Sequence, residues 1–191
     1  MSDHVELWLV RHGETEWSRD GRHTSRTDVP LTDRGEATAS TLAPRLSGVL
    51  FDLVLTSPRL RARRTAALAG FADARVDDDL AEWDYGDYEG ITTAQIRGRV
   101  PGWTVWTHPT PGGETAAEVG ARLDRLIGTV RATAGRVLAF GHSHAMRVLA
   151  ARWIGQPVSE GRCFTLDTAT ISVLGYERET PAILHWNNAA S

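Results

Sequence analysis

Two stretches of this chain run from apolar residues straight into a glycine–histidine cluster. Leu7-Trp8-Leu9-Val10 leads to Arg11-His12-Gly13-Glu14-Thr15, and Ala139-Phe140 leads to Gly141-His142-Ser143-His144. In an open α/β sheet, ligands gather at the carboxyl ends of strands, where loops leave and helix N-termini face the crevice. A guanidinium grips phosphate through two parallel N–H donors, and an unprotonated imidazole is a nucleophile near neutral pH. A lone histidine in such a place is more often a satisfied structural group. Two strands that both end near one favour phosphoryl transfer through histidine, with His142 and the N–H groups of Ser143 and His144 stabilising the charge that spreads over the moving phosphoryl group.

Two more segments join them. Thr56-Ser57-Pro58 ends a strand and starts a helix, with proline expected in the first helical turn, where a missing N–H costs nothing. Arg61 follows about one turn in, within reach of the sheet edge. Arg59, Arg63 and Arg64 read as a solvated helix face. The stretch Glu82-Trp83-Asp84-Tyr85-Gly86-Asp87-Tyr88-Glu89-Gly90 mixes acids, aromatics and turn glycines. One acid is expected to protonate the leaving oxygen: Glu82, with Asp84 behind it. Where neighbouring arginines hold that carboxyl ionised, activity is expected to be best at mildly acidic pH. Asp87 and Glu89 are read as the approach to a helix near Thr92 or Thr93.

The elements that must position these residues alternate strand and helix. Val5 to Val10 is apolar enough for a strand covered on both faces. Thr32 caps a helix to about Leu46, which Pro44 kinks or shortens. Phe51 to Thr56 reads as a strand, Pro58 to Ala69 as a helix, and Arg75 to Leu80 as a short strand or connection. Arg136 to Phe140 is a strand, followed by a helix from Ser143 to about Ile154. Thr115 and Glu118 have capping-box spacing at the head of a helix to about Thr133, with Val119, Leu123, Leu126, Ile127 and Val130 as its core stripe. Ala169 to Tyr176 and Ala182 to Trp186 read as two strands at a sheet edge. Pro111-Gly112-Gly113-Glu114 has two readings, a backbone approach to a ligand or a plain turn. Trp103, Trp106 and His108 either border a pocket or close the core.

At 191 residues the chain suits one domain, residues 1–191, able to bury roughly 70 % of its unfolded surface. It contains no lysine, so all 21 cationic residues are arginine, against 24 acids. Without a basic run, nucleic acid is not an expected partner. No run of apolar residues is long enough to span a membrane, and the acids in Met1-Ser2-Asp3-His4-Val5-Glu6 do not suit a secretory leader, so a cytoplasmic location is expected. Cys163 is the only cysteine, which excludes an internal disulfide and multi-cysteine zinc sites, and it reads as a small buried residue.

Arg11-His12-Gly13-Glu14-Thr15, Thr56-Ser57-Pro58 with Arg61-Ala62 and Thr65-Ala66, Glu82 with Gly86 and Glu89-Gly90, and Phe140-Gly141-His142 together resemble the histidine phosphatase superfamily, which includes the cofactor-dependent phosphoglycerate mutases. The likeness spans nearly the whole chain in the right order. It implies a three-layer α/β/α sandwich with a mostly parallel central sheet and an antiparallel edge strand, no metal, no cofactor, and a phosphohistidine intermediate. By the same resemblance His12 is the nucleophile, Arg11, Arg61 and His142 hold the phosphoryl oxygens, and Glu82 donates the proton. Substrate contacts are expected from Ser18, Thr24, Ser25, Tyr85 and Ser143 as well. Within the superfamily, Glu16-Trp17-Ser18, Thr24-Ser25-Arg26-Thr27-Asp28 and Glu82 to Gly90 resemble the branch holding sedoheptulose bisphosphatase and related broad phosphatases. Three positions depart from the mutases: Ser18 replaces a common Asn, Thr24-Ser25 a Gly-containing pair, and Ser143 a common Gly.

A mutase must exclude water from its intermediate, whereas a phosphatase admits it, and little chain lies between Gly90 and Gly112 to enclose a substrate. The expectation is therefore a phosphatase of small phosphate monoesters, sugar phosphates among them. Two rivals stand beside it, a phosphoglycerate mutase and a non-catalytic phosphate-binding domain. The apolar C-terminal strands suggest a homodimer paired across a two-fold axis.

Overall fold

The computed structural model describes residues 4–133 and 135–189; Met1, Ser2 and Asp3, which carry part of the argument about a leader, lie outside them. Six strands form one sheet: β1 (Glu6–Arg11), β2 (Leu53–Thr56), β3 (Arg75–Val76), β4 (Arg136–Gly141), β5 (Ile171–Glu177) and β6 (Thr180–Asn188). Their spatial order is β3-β2-β4-β1-β5-β6. The first four in that order are parallel, while β5 runs antiparallel to β1 and β6 antiparallel to β5. Two antiparallel strands thus close one side, where the sequence reading places two strands at a sheet edge.

Among the described residues there are seven α-helices: α1 (Glu16–Arg19), α2 (Asp33–Ser40), α3 (Leu42–Leu46), α4 (Leu60–Leu68), α5 (Thr93–Arg97), α6 (Ala116–Arg131) and α7 (Ser143–Trp153). Successive residues of a strand point to opposite faces, and β1 and β4 show what that does here. Leu7, Leu9, Val137 and Ala139 join one apolar cluster with Leu123 and Leu126 of α6 and Leu149 of α7. Val10, Leu138 and Phe140 join another with Leu42 and Leu46 of α3 and Ala66 of α4. Burial on both faces is why these strands read as unbroken apolar runs. The result is an α/β/α sandwich.

Local chemistry sets the helix limits. α6 starts at the expected cap, Thr115 accepting from the Glu118 N–H while Glu118 reaches back to the Thr115 backbone. Its stripe of Val119, Leu123, Leu126, Ile127 and Val130 is buried. At about 2 kcal/mol per buried side chain, that packing outweighs the cap. The helix expected from Thr32 to Leu46 is broken at Thr41, three residues before Pro44, because the proline has no N–H for the Ser40 carbonyl and its ring crowds that oxygen. The helix expected to contain Pro58 begins instead at Leu60, with Arg59 as its cap. Its first N–H groups are taken by neighbours, Arg59 N donating to Ser57 Oγ at 3.3 Å and Leu60 N to Asp28 Oδ1 at 2.9 Å. Cys163 is exposed, not buried, on a 3-10 turn after α7. No helix among the described residues is long and apolar enough to cross a membrane.

Candidate active site

The sheet register brings the two histidines together. β1 and β4 are hydrogen-bonded neighbours with Arg11 opposite Gly141, so the next residues, His12 and His142, leave side by side. His12 N–H donates to the Gly141 carbonyl at 3.0 Å and Ser57 N–H to the Phe140 carbonyl at 2.9 Å, which adds the end of β2. The two imidazole centroids are 5.1 Å apart, with the ring planes inclined at 61°. Gly13 is required next to them: a Cβ there would lie 2.5 Å from the Gly35 carbonyl oxygen at the head of α2. Its N–H is held by Thr65 Oγ1 of α4 at 3.0 Å.

Hydrogen bonding fixes which atom of His12 can react. Nδ1 lies 2.7 Å from the Gly13 carbonyl, which only accepts, so Nδ1 carries the hydrogen and Nε2 keeps its lone pair. Burial first, and then the charges of Arg61 and Arg11, hold the His12 pKa well below its ordinary value. The ring is therefore neutral at pH 7, as a nucleophile must be.

The two guanidiniums are placed differently. Arg11 donates through Nη1 to the Leu166 carbonyl, while its buried Nε has no protein partner. Arg61 is wholly buried; its Nε donates to His142 Nδ1 at 3.2 Å. The Nη atoms donate to the carbonyls of Thr27, Thr24 and Ser25 at 3.0, 3.0 and 3.2 Å. Arg61 thus ties the loop of residues 24–27 to the second histidine.

A cavity of about 210 Å³ opens beside His12 and Arg11, and Glu82, Tyr85, Ser18, Thr24 and Ser143 also line it. Glu82 is buried at the head of α7, where its oxygens accept the N–H groups of His144 and Ala145 at 3.0 and 2.7 Å. Asp84 is not on this wall; it pairs with Arg26 and accepts the Gly86 N–H at 3.1 Å. Of the two acids named from sequence, Glu82 is the one beside His12. Ser25 is turned elsewhere too: its hydroxyl donates to Glu89, which also accepts the N–H groups of Ser25 and Thr27. Burial raises the Glu89 pKa, yet those hydrogen bonds leave it below the ordinary value. Glu89 therefore organises the 24–27 loop, and α5 begins on its own capping box of Thr92 and Gln95. Ser18 spends its hydroxyl on Thr15 at the cap of α1.

The wall that carries Glu82 is braced from α6. Arg122 donates to both oxygens of Glu114 at 2.8 and 3.0 Å and to the carbonyls of Asp79 and Ala81 at 2.7 and 2.8 Å. Glu114 in turn accepts the Asp84 N–H at 2.9 Å. The glycines before it serve this packing and not a ligand: a Cβ on Gly113 would lie 2.2 Å from the Asp84 carbonyl oxygen, and one on Gly86 2.1 Å from that of Pro111.

Sequence reasoning missed the far side of the cavity. Arg22, His23, Thr93 and His144 line it, and only His144 had been weighed, as a supporting group. The Tyr85 hydroxyl is 2.6 Å from His144 Nδ1, and the His23 ring packs 4.6 Å from Tyr85 and 6.0 Å from His144. Burial lowers the His23 pKa to about 4, against a smaller upward pull from Glu89. Burial, then Arg147, likewise holds His144 well below its ordinary value. Trp106 packs its ring 5.1 Å from His144, whereas Trp103 is buried in the core and His108 bonds to Thr107.

Among the described residues no group of three or more His, Cys, Asp or Glu side chains is gathered to hold a metal ion. A sequence model of the histidine phosphatase superfamily (branch 1) matches residues 7–189. The chain is 44% identical over 175 residues to the acid phosphatase of Mycobacterium tuberculosis, covering 90% of this chain and 86% of that one. It is 36% identical over 205 residues to the sedoheptulose 1,7-bisphosphatase of Saccharomyces cerevisiae, covering 90% and 75%. The solved structure of an open reading frame product of M. tuberculosis superposes with a TM-score of 0.92 at 40% identity, over 97% of this chain and 98% of that one.

Proposed function

On the premise that the chain belongs to branch 1 of the histidine phosphatase superfamily, whose phosphoric monoester hydrolase chemistry it shares, we propose that it cleaves small phosphate monoesters, sugar phosphates among them, through a phosphohistidine on His12. The observation that carries this reading is the neutral His12 ring, with Nε2 unprotonated, beside a buried Arg11 donor that has no protein partner and a cavity wall that includes Glu82.

In this mechanism Arg11, Arg61 and His142 hold the phosphoryl oxygens. His12 Nε2 attacks phosphorus, the Nε2–P bond forms as the P–O ester bond breaks, and the leaving oxygen takes a proton from Glu82. Water then attacks phosphorus, gives its proton to Glu82, and releases phosphate and His12. Residues 1–191 act as one catalytic domain, and Tyr85, Thr24 and Ser143 meet the rest of the substrate. The likeness to sedoheptulose bisphosphatase supports sugar phosphates, and the greater identity to an acid phosphatase supports phosphate monoester hydrolysis.

Rapid quench of the protein mixed with labelled p-nitrophenyl phosphate tests the chemistry. Acid-labile, base-stable phosphate on the wild type, absent from His12→Ala together with turnover, is the expected result. Wild-type hydrolysis by His12→Ala overturns the assignment.

A further inference from the structure

His142 has both ring nitrogens engaged, and its two partners make different demands. Arg61 Nε is a donor at 3.2 Å from Nδ1, so in the unliganded site Nδ1 is the acceptor. The neutral ring then carries its hydrogen on Nε2, which lies 2.7 Å from Ser57 Oγ. That hydroxyl is fully buried and also accepts the Arg59 N–H at 3.3 Å. With two donors aimed at its oxygen, the Ser57 hydrogen has no acceptor. A buried hydroxyl in that state can exchange roles with its partner.

An anion reverses the demand on His142. Phosphoryl oxygens only accept, so a ring that holds one must present N–H to it. Nε2 faces the buried serine and Nδ1 accepts from Arg61 Nε–H, so an oxygen that draws hydrogen bonds from both groups must enter between them, on the Nδ1 side. We propose that Ser57 is a positioning residue that sets the tautomer of His142: once the phosphoryl group is bound, the Ser57 O–H turns to donate to Nε2, and Nδ1–H points at the phosphoryl oxygen. The ring stays neutral. Nε2 gives one proton to water and Nδ1 takes one from water, while Ser57 keeps its own hydrogen and only rotates. Serine suits this place because a hydroxyl both donates and accepts, whereas alanine does neither. This rests on the phosphoryl position proposed above, between His12 and His142.

The test is ¹⁵N imidazole NMR of the whole chain with and without inorganic phosphate, alongside kinetics of Ser57→Ala and Ser57→Thr on p-nitrophenyl phosphate. The expected spectrum has His142 protonated on Nε2 in the free protein and on Nδ1 with phosphate. Ser57→Ala is expected to bind phosphate with His142 in mixed tautomers and to lose about tenfold in kcat, the loss of one buried hydrogen bond at the transition state. KM changes little, and Ser57→Thr, which restores the hydroxyl, recovers the tautomer. A His142 that keeps Nε2–H while the His12 signals report bound phosphate overturns the inference and leaves the phosphohistidine reading intact. A Ser57→Ala protein with one Nδ1–H tautomer and full kcat overturns it as well.

Discussion

The two ends of the cavity are built by different means. At the end proposed to hold phosphate, His12 and Arg11 line the cavity while His142 and Ser57 lie buried off its wall; all four leave the ends of three adjacent parallel strands, and backbone hydrogen bonds across β1, β4 and β2 set their spacing. At the opposite end, His23 and Tyr85 come from two loops and Thr93 and His144 from the starts of two helices, α5 and α7. Those loops are tied to one another: His23 N–H donates to the Ile91 carbonyl, Gly90 N–H to the His23 carbonyl, and the Ser25 hydroxyl to Glu89. The groups proposed to handle charge sit at a rigid sheet edge, and those proposed to meet the rest of the substrate on loops and helix starts that side chains hold in place.

This contrast has a measurable consequence for stability. Arg122 is buried and carries the loop of residues 79–84 through Glu114 and two carbonyls. Removing one partner of a buried ion pair costs about 3–5 kcal/mol because the other is left uncompensated. Arg122→Ala is expected to lose that much in urea unfolding, and kcat should fall as Glu82 loses its seat. A loss within 1 kcal/mol would show that the loop wall stands without its brace.

On the sheet-built side the largest effect is on catalysis. Arg61→Ala removes a buried donor and is expected to cost roughly 3 to 4 kcal/mol of transition-state stabilisation, a factor of 10² to 10³ in kcat. Arg61→Lys should not restore it, since one ammonium cannot span His142 and the carbonyls of Thr24, Ser25 and Thr27. Steady-state hydrolysis of p-nitrophenyl phosphate measures both variants, and full activity of the lysine variant would break the contrast.

Acid separates the ends by a third route. His23 has an ordinary pKa of 6.5, as in the unfolded chain, and one of about 4 when folded. Below pH 6.5 the unfolded chain takes up a proton that the folded chain refuses. The stabilisation is complete above 6.5 and is lost as pH falls toward 4, up to about 3 kcal/mol for this residue. His12, His142 and His144 act in the same direction. His23→Asn is expected to flatten the fall in urea midpoint between pH 6.5 and 4; an unchanged slope would place the acid sensitivity at His12, His142 and His144 instead.

How much of this was legible follows the same division. Arg11-His12-Gly13 and Gly141-His142 announce themselves because burial on both faces makes a strand apolar until the residue where it stops. Glu82 stood out as the first acid of a cluster of acids, aromatics and turn glycines, and Arg61 mainly through the family pattern. Loop packing hid the rest: that Ser25 and Glu89 bond to each other, or that Gly113 and Gly86 press two turns together, depends on residues far apart in sequence. His23 could have been suspected only from its place between Arg22 and Thr24, inside a loop already singled out. That Pro44 interrupts its helix was legible, and the break falls ahead of it, at Thr41, because proline acts on the carbonyl four residues back.

The smallest expected effect asks whether the loop wall reads the leaving group at all. Burial, then Glu82, pushes the Tyr85 pKa well above 10, so at pH 7 its hydroxyl keeps its hydrogen and donates to His144 Nδ1. The hydrogen of the neutral His144 ring is then on Nε2, a donor for a substrate hydroxyl or ether oxygen in the cavity it lines. A sugar phosphate offers such acceptors near the ester, and p-nitrophenyl phosphate offers none there. His144→Ala is therefore expected to lower kcat/KM for a sugar phosphate about tenfold relative to p-nitrophenyl phosphate, the worth of one hydrogen bond. Arg61→Ala should lower both alike, because every substrate carries the phosphoryl group. Equal losses on both substrates in the His144 variant would mean that His144 serves only to seat Glu82 and that selectivity comes from another part of the wall.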